Sequence, residues 1–248
     1  MTRRYPAADV KKLYGRAAAR CALCRAELVL DNTPHDPAKQ IGKIAHIVAH
    51  SESGPRSDPD YPKDELDKYE NWILLCPTCH DKVDAQENTY TQEYLRELKR
   101  KHEKWVRDSL EDSMSEFGFA ELEVAIKGIA NMDAQSPTEF SVIAPNDKIA
   151  KNELTPEIRN LLVMGLMRSK EVNDYLIEMH KINTGFADKI TAAFKKRYIE
   201  LKEEGLFGDE LFEALIDFAS GGTSDFKIRA AGLALLSHLF EICEVFEK

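Results

Sequence analysis

NWILLCPTCH, from Asn71 to His80, is the stretch that decides the fold of the first half of the chain. It joins an apolar run, Trp72–Leu75, to a C-x-x-C pair and ends in a histidine. The residues that follow are predicted to form a helix that carries Asp84, four positions after His80. Because residues four apart share one face of a helix, His80 and Asp84 are expected to point in the same direction.

The C-x-x-C pair of this stretch has a counterpart upstream. Cys21 and Cys24 match Cys76 and Cys79, and 51 residues separate the two pairs. Two such knuckles can present four thiolates tetrahedrally to Zn²⁺, whereas either pair alone could equally be a redox site. Two pairs without a thioredoxin-like βαβ pattern favour structural zinc. Cys243 is expected to lie in the core of the last predicted helix.

Charge is distributed unevenly along the 248 residues, whose net charge is −9. Residues 1–110 carry 19 basic and 18 acidic side chains, and residues 111–248 carry 15 and 25. An acidic second half would repel a polyanion, so nucleic acid is expected to bind the first half. The start of the chain lacks the apolar core of a secretory signal, and no apolar run reaches the ~18 residues of a membrane span. Five cysteines in a chain without such a signal favour a reducing compartment, where thiols are metal ligands more often than disulfide partners, so the protein is expected in the cytoplasm without membrane association.

A second candidate histidine, after His80, is His46, which lies between the two cysteine pairs. The segment Ile41–Val48, IGKIAHIV, alternates as a β-strand does and places His46 near its end. The polar loop Ser51–Arg56 follows it. A histidine on a strand and the pair His80 and Asp84 on a helix can converge on one point, which suits a phosphodiesterase that uses a single metal ion.

With these residues, the segment from Cys21 to Asp84 resembles the HNH endonuclease family. The fold of that family, called ββα-metal, consists of two antiparallel strands and a helix around one divalent ion. His46, Asn71 and His80 supply its three letters in the family's order. The resemblance implies a zinc-stabilised ββα-metal domain and the α+β class.

The resemblance also implies a role for each residue. His46 matches the general base, whose ordinary pKa near ~6.5 suits proton acceptance at neutral pH. Asn71 matches the residue that fastens the loop and orients the base. His80 matches a ligand of the catalytic Mg²⁺ or Mn²⁺, and Asp84 matches a position that supplies a further ligand in some branches. The implied products are 5′-phosphate and 3′-hydroxyl ends.

One position departs from the family pattern. Many members have Asp or His directly before the base as a metal ligand, and this chain has Ala45. The ion is then expected to rely on His80, Asp84, water and substrate phosphate, or on a further ligand, for which His50 is a candidate.

Four further residues are candidates for nucleic-acid contact: His50, Arg56, Lys99 and Arg100. The first two follow the predicted strand, and an arginine fork suits phosphate oxygens. The other two belong to a basic run on a helix predicted over residues 91–110. Such runs are more often solvated helix faces than binding sites.

The chain is predicted to divide into a nuclease domain over residues 1–112, an irregular linker over 113–152 and an all-α domain over 153–248. Thr155, followed by Pro156, is expected to cap the first helix of that last domain. Further helices are predicted over residues 171–182, 187–203, 209–219 and 225–246, with breaks at glycines.

The all-α domain resembles the small helical domain attached to effectors of bacterial three-component anti-phage systems built around an ATPase. The segments that carry this resemblance are LTPEIRNL from Leu154, GDELFEAL from Gly208 and CEVFEK from Cys243. It implies partner binding or self-assembly, without catalytic residues. A regulatory partner protein from a defence operon is expected.

Three functions are compatible with the sequence. The first is a metal-dependent DNA endonuclease whose helical domain couples cleavage to a partner or to a homo-oligomer, because cutting both strands requires a second copy. The second is a zinc-stabilised nucleic-acid-binding module that has lost catalysis, which Ala45 favours. The third is a scaffold that only docks a partner.

Overall fold

The computed structural model describes residues 4–30, 33–130, 145–242 and Phe246. The chain divides into two compact units, Met1–Asp108 and Ser109–Lys248. Both α-helices and antiparallel strands are present, as expected for the α+β class. Among the described residues, no helix combines the length and the apolar character needed to cross a membrane.

In its described residues, the first unit contains two small antiparallel sheets and three helices, the last of which continues past Asp108. Its elements in chain order are α1 (Ala7–Arg16), β1 (Val29–Leu30), β2 (Lys39–Gln40), β3 (Lys43–His46), a 3₁₀ turn (Tyr69–Asn71), β4 (Trp72–Leu75), α2 (Pro77–Ala85) and α3 (Gln92–Met114).

Strands β3 and β4 pair antiparallel, with His46 opposite Trp72 and Lys43 opposite Leu75. All four residues of β4 are buried, which explains why this strand reads as a continuous apolar run. Helix α2 follows after one residue and packs against both strands. His46 therefore lies at the end of a strand, and His80 lies on the helix after the paired strand, as the sequence pattern predicts.

The second unit is helical in its described part. Its elements are α4 (Phe119–Ala130), α5 (Pro145–Lys151), α6 (Pro156–Leu166), α7 (Ser169–Ile182), α8 (Phe186–Glu203), α9 (Gly208–Ala219) and α10 (Phe226–Ile242). The helices predicted after residue 153 are present within the described residues, with ends close to the predicted ones. The last is described up to Ile242, and residues 243–245 of its predicted range lie outside the described part. Cys243 lies outside the described residues.

Helix α10 is the centre of this unit and packs against α4, α6, α7 and α9. It comes close to α6 at Gly165, where an added Cβ would overlap the Ser237 Oγ. Thr155 precedes α6 but makes no side-chain cap bond. Its hydroxyl instead donates to Asp209 Oδ2 at 2.6 Å, which ties the start of α6 to α9.

The expected irregular linker over residues 113–152 is corrected by the structure. Residues 119–130 form α4, whose apolar side chains are buried at helical spacing: Leu122, Ala125, Ile126 and Ile129. Residues 145–151 form α5, and residues 131–144 lie outside the described part. In the sequence, residues 113–120 look like the start of a linker because they contain turn-forming residues. In the structure they lead into α4, which packs within the second unit.

Candidate active site and metal centre

The four paired cysteines converge on one point. The Sγ atoms of Cys21, Cys24, Cys76 and Cys79 all lie within 4.8 Å of one another, and those of Cys24 and Cys76 are 3.9 Å apart. A tetrahedral zinc with Zn–S bonds of ~2.3 Å requires sulfur atoms about 3.8 Å apart. The arrangement is that of a metal site, and its all-thiol donor set fits structural zinc.

Backbone geometry prepares both knuckles for a metal. Cys76 is the N-cap of α2, and its sulfur accepts the Cys79 amide at 3.3 Å. In the other knuckle, the Arg25 amide donates to the Cys21 carbonyl at 2.8 Å and Arg25 has a left-handed φ of 65°. The Ala22 amide donates to the Leu74 carbonyl at 2.9 Å, which joins this knuckle to β4.

The four thiols can ionise together only beside a cation. Burial and the adjacent thiols raise the pKa of Cys79 strongly, and burial raises the pKa of Cys21. Four thiolates this close would repel one another in the absence of a positive ion. The cluster is therefore suited to hold a divalent metal, which would fix the start of α2 beside the first knuckle.

His46, the expected general base, is buried at the end of β3 and is 8% exposed. Its ring lies edge-on to Trp72, with centroids 6.1 Å apart, and 6.3 Å from the Tyr5 ring. Its Nε2 lies 3.1 Å from Asp67 Oδ1. The imidazole is thus held by one strand, two aromatic rings and a carboxylate.

Asn71 is 1% exposed and binds two loops at once. Its Oδ1 accepts the Val48 amide at 2.8 Å, and its Nδ2 donates to the carbonyls of Val48 and Leu66, both at 3.0 Å. The Val48 bonds fix the chain just after His46. Asn71 thereby joins the chain after His46 to the loop at Leu66.

His80 and Asp84 lie on one face of α2, as their spacing predicts. His80 Nδ1 is 3.5 Å from Asp84 Oδ2, and both side chains are roughly one-third exposed. The two atoms are close enough to share one ion. Because Mg²⁺ usually keeps several waters and takes its remaining ligands from substrate phosphate, two protein ligands are compatible with such a site.

Several of the residues predicted for catalysis, metal binding or nucleic-acid contact line one small cavity. His46, His50, Arg56, His80 and Asp84 all line it. The strand histidine and the helix pair therefore face the same space. Ala45, in contrast, is 1% exposed and provides no ligand. In the part of the chain that the structure describes, the four cysteines are the only group of three or more His, Cys, Asp or Glu side chains whose ligand atoms lie close enough together to hold a metal ion.

Arg56 is placed differently from its predicted role in phosphate contact. Its guanidinium is buried, donates to the carbonyls of His46, Ile47 and Val83, and pairs with Asp84 Oδ1 at 2.7 Å. These bonds connect the loop after β3 to α2. The loop pattern alone could not reveal this, because an arginine fork serves carbonyl oxygens as well as phosphate oxygens.

We expect Arg56→Met to destabilise the first unit by about 3 kcal/mol, because it leaves buried carbonyls and Asp84 without their donor. Urea unfolding followed by tryptophan fluorescence measures this, since both tryptophans, Trp72 and Trp105, belong to that unit. Arg100→Met is the matched control, because Arg100 is exposed and its guanidinium pairs with the neighbouring carboxylate of Glu97. Equal unfolding midpoints for the two variants would contradict the prediction.

Lys99 is also placed differently from its predicted role in nucleic-acid contact. It is 9% exposed, donates to the Tyr69 carbonyl and lies 3.4 Å from the centre of the Tyr69 ring. It therefore belongs to the interior of the first unit rather than to a phosphate-binding face. Arg100 is exposed and paired with Glu97 at 2.7 Å. The predicted helix is present as α3 and extends to Met114.

Burial lowers the pKa of Lys99 to about 8. Between that value and the ordinary 10.5, the unfolded chain binds the proton that the folded chain has lost, so wild-type stability rises with pH across this window. Relative to Lys99→Met, we expect a gain of roughly 1.4 kcal/mol per pH unit from pH 8 to pH 10. Urea unfolding at each pH measures it. A pH-independent difference between wild type and variant would contradict it, and Lys101→Met is the exposed control.

His50 lines the candidate site, and its side chain is buried rather than solvated. Its side chain is 7% exposed, and its Nε2 is 3.5 Å from Asp67 Oδ2. Its ring centroid is 5.8 Å from that of His46. His50 is thus available at the edge of the cavity, and its partner is a carboxylate.

Asp67 is the residue that the sequence interpretation missed. It lies 21 positions after His46 and four before Asn71, in a segment without a recognisable pattern. Burial alone would raise the pKa of Asp67, but the Arg4 amide and the two imidazoles outweigh it and hold that pKa below its usual value. The only signal in the sequence was its proximity to Asn71.

Comparison with protein-family models gives no match to this chain, and comparison with curated proteins gives no significant match.

Proposed function

We propose that the chain is a metal-dependent endonuclease of the HNH type that hydrolyses phosphodiester bonds of DNA. The observation that carries this proposal is the convergence of His46, from the end of β3, with His80 and Asp84, from α2, on one cavity. Asn71 supports it by fastening the loop after His46.

In the proposed reaction, His46 accepts a proton from a water molecule in the cavity. The water oxygen attacks phosphorus, the bond from phosphorus to the 3′ oxygen breaks, and that oxygen takes a proton from solvent. His80 and Asp84 would hold Mg²⁺ or Mn²⁺, which would stabilise the charge that develops on the phosphate and on the leaving oxygen.

The thiol cluster would serve the site indirectly. A zinc ion on Cys76 and Cys79 would hold the first turn of α2, and His80 directly follows Cys79. Zinc with four thiolates leaves no open position for substrate, so its contribution is structural. A reducing compartment such as the cytoplasm would keep these thiols available.

The second unit is proposed to control this activity. Its described surface exposes large apolar side chains, among them Met167, Ile182 and Phe207. Together with its excess of acidic residues, this favours a protein partner or a second copy of the chain over nucleic acid. Its resemblance to helical domains of anti-phage effectors gives the same expectation, including a partner from a defence operon.

A plasmid-nicking assay tests the proposed function. Supercoiled plasmid is incubated with wild type and with His46→Ala/His80→Ala, each with EDTA, Mg²⁺ or Mn²⁺. We expect conversion to open circles only by wild type and only with metal. Equal conversion by both proteins, or none by either at any metal concentration, would contradict the proposal.

A second candidate is a nucleic-acid-binding module without catalysis. The buried Ala45, at the position of a family ligand, is the observation that favours it. It predicts salt-dependent DNA binding without nicks. A gel-shift assay run beside the nicking assay separates the two functions, because only the endonuclease gives metal-dependent open circles.

A further inference from the structure

We propose that Asp67 is the positioning residue of His46: its carboxylate receives the Nε2 proton and thereby leaves Nδ1 as the nitrogen that accepts a proton from water. This inference rests on the proposed function and names a residue that the HNH resemblance does not supply. Asp67 touches His46 and His50 rather than the reacting atoms.

The geometry around Asp67 carries the inference. Its Oδ1 lies 3.1 Å from His46 Nε2, and its Oδ2 lies 3.5 Å from His50 Nε2. Oδ2 also accepts the backbone amide of Arg4 at 2.7 Å. Both oxygens of a carboxylate that is only 18% exposed are thus directed at donors. Such an arrangement fixes the carboxylate rather than leaving it to rotate in solvent.

The backbone beside Asp67 is fixed as well. Asn71 Nδ2 donates to the carbonyl of Leu66, the preceding residue, at 3.0 Å. The same amide group holds Val48, two residues after His46. Asn71 therefore sets the distance between the loop that carries Asp67 and the strand that carries His46. One buried amide positions both the base and its carboxylate.

The chemistry of the pair decides which imidazole nitrogen is basic. An ionised carboxylate can only accept a hydrogen bond, so the nitrogen facing it must carry the proton. In neutral His46 this is Nε2, and the lone pair then belongs to Nδ1. When His46 takes a proton, the adjacent negative charge stabilises the imidazolium, as the Asp of a Ser-His-Asp triad does.

Aromatic rings and other titratable groups lie near the pair. The Tyr5 and Trp72 rings border His46, and His50 carries the second titratable ring. The cavity beside Asp67 is also lined by charged side chains of both signs: Arg4, Lys63, Asp64, Glu65 and Lys68. The direct contact therefore distinguishes Asp67 from the carboxylates near it.

The test compares Asp67→Asn with Asp64→Asn in the full chain. Asp64 is exposed on the same loop, so its variant makes the same chemical change without touching His46. We expect Asp67→Asn to lower kcat for plasmid nicking by on the order of 100-fold with little change in KM, because the amide can present its NH₂ to Nε2 and favour the wrong tautomer. Asp64→Asn should match wild type.

The pH profile separates positioning from a general loss of structure. Removing the carboxylate removes stabilisation of the His46 imidazolium, so the acidic limb of kcat/KM should move to lower pH in Asp67→Asn. An unchanged kcat together with an unchanged acidic limb would overturn the proposal.

Nitrogen-15 NMR of His46 provides a readout that does not require cleavage. Wild type is expected to show a protonated Nε2 and an unprotonated Nδ1 in the neutral ring, and Asp67→Asn is expected to lose that preference. If wild type does not cleave but shows this tautomer, the proposed function fails and the positioning role stands. A neutral ring protonated on Nδ1 in wild type would overturn the role of Asp67.

Discussion

Replacing Cys76 by serine is expected to remove the metal and unfold the first unit. Cys76 both supplies a thiol to the four-cysteine cluster and caps α2. Structural zinc in small domains contributes about 10–16 kcal/mol of apparent binding energy, which equals or exceeds the net stability of a typical domain. Losing one of four thiolates should therefore cost the unit its folded state at ordinary temperature.

Zinc content and tryptophan emission measure this together. Wild type should contain one zinc per chain, and Cys76→Ser should contain little. Trp72 is fully buried next to the cluster in sequence, so its emission should shift to longer wavelength when the unit unfolds. A strong chelator should produce the same shift in wild type.

The fifth cysteine offers a matched control. Cys243→Ser makes the same chemical change at a residue that has no second cysteine at C-x-x-C spacing. It should keep wild-type zinc content and emission. A Cys76→Ser protein with full zinc content and unchanged emission would show that the cluster is not a structural zinc centre.

Replacing His46 by alanine is expected to reduce metal-dependent nicking by about 10²–10⁴-fold, the usual contribution of a general base. The variant should retain zinc, and its free energy of unfolding should stay within about 2 kcal/mol of wild type, since Asn71, rather than His46, holds the loop. Initial rates of plasmid nicking at fixed Mn²⁺ measure the effect.

Two comparisons sharpen this result. His35→Ala, at an exposed histidine of the same unit, should cleave as wild type does. Imidazole added to the solution should partly restore His46→Ala, because the removed ring leaves space beside the cavity for a free base. A His46→Ala protein as active as His35→Ala would remove His46 from the proposed reaction.

Several features of the site followed from local sequence signals. The C-x-x-C pairs predicted the thiol cluster because a knuckle needs only a few consecutive residues. The four-residue spacing of His80 and Asp84 fixed their common face once α2 formed. The alternation of apolar and other side chains over residues 41–48 predicted a strand with His46 near its end.

The direction of long or isolated side chains did not follow from the sequence. Arg56 and Lys99 looked like surface cations, and the structure buries both against backbone carbonyls. A flexible charged side chain can reach solvent or interior from the same backbone position, and only the surrounding packing decides which.

The sequence by itself thus determined the thiol cluster, the strand that ends at His46 and the common helix face of His80 and Asp84, because each depends on residues close together along the chain. Only the tertiary structure decided that Asp67 meets His46, that Arg56 joins the loop to α2, and that residues 119–130 form a packed helix. Those contacts join segments distant in sequence, and no local spacing encodes which distant segments pack together.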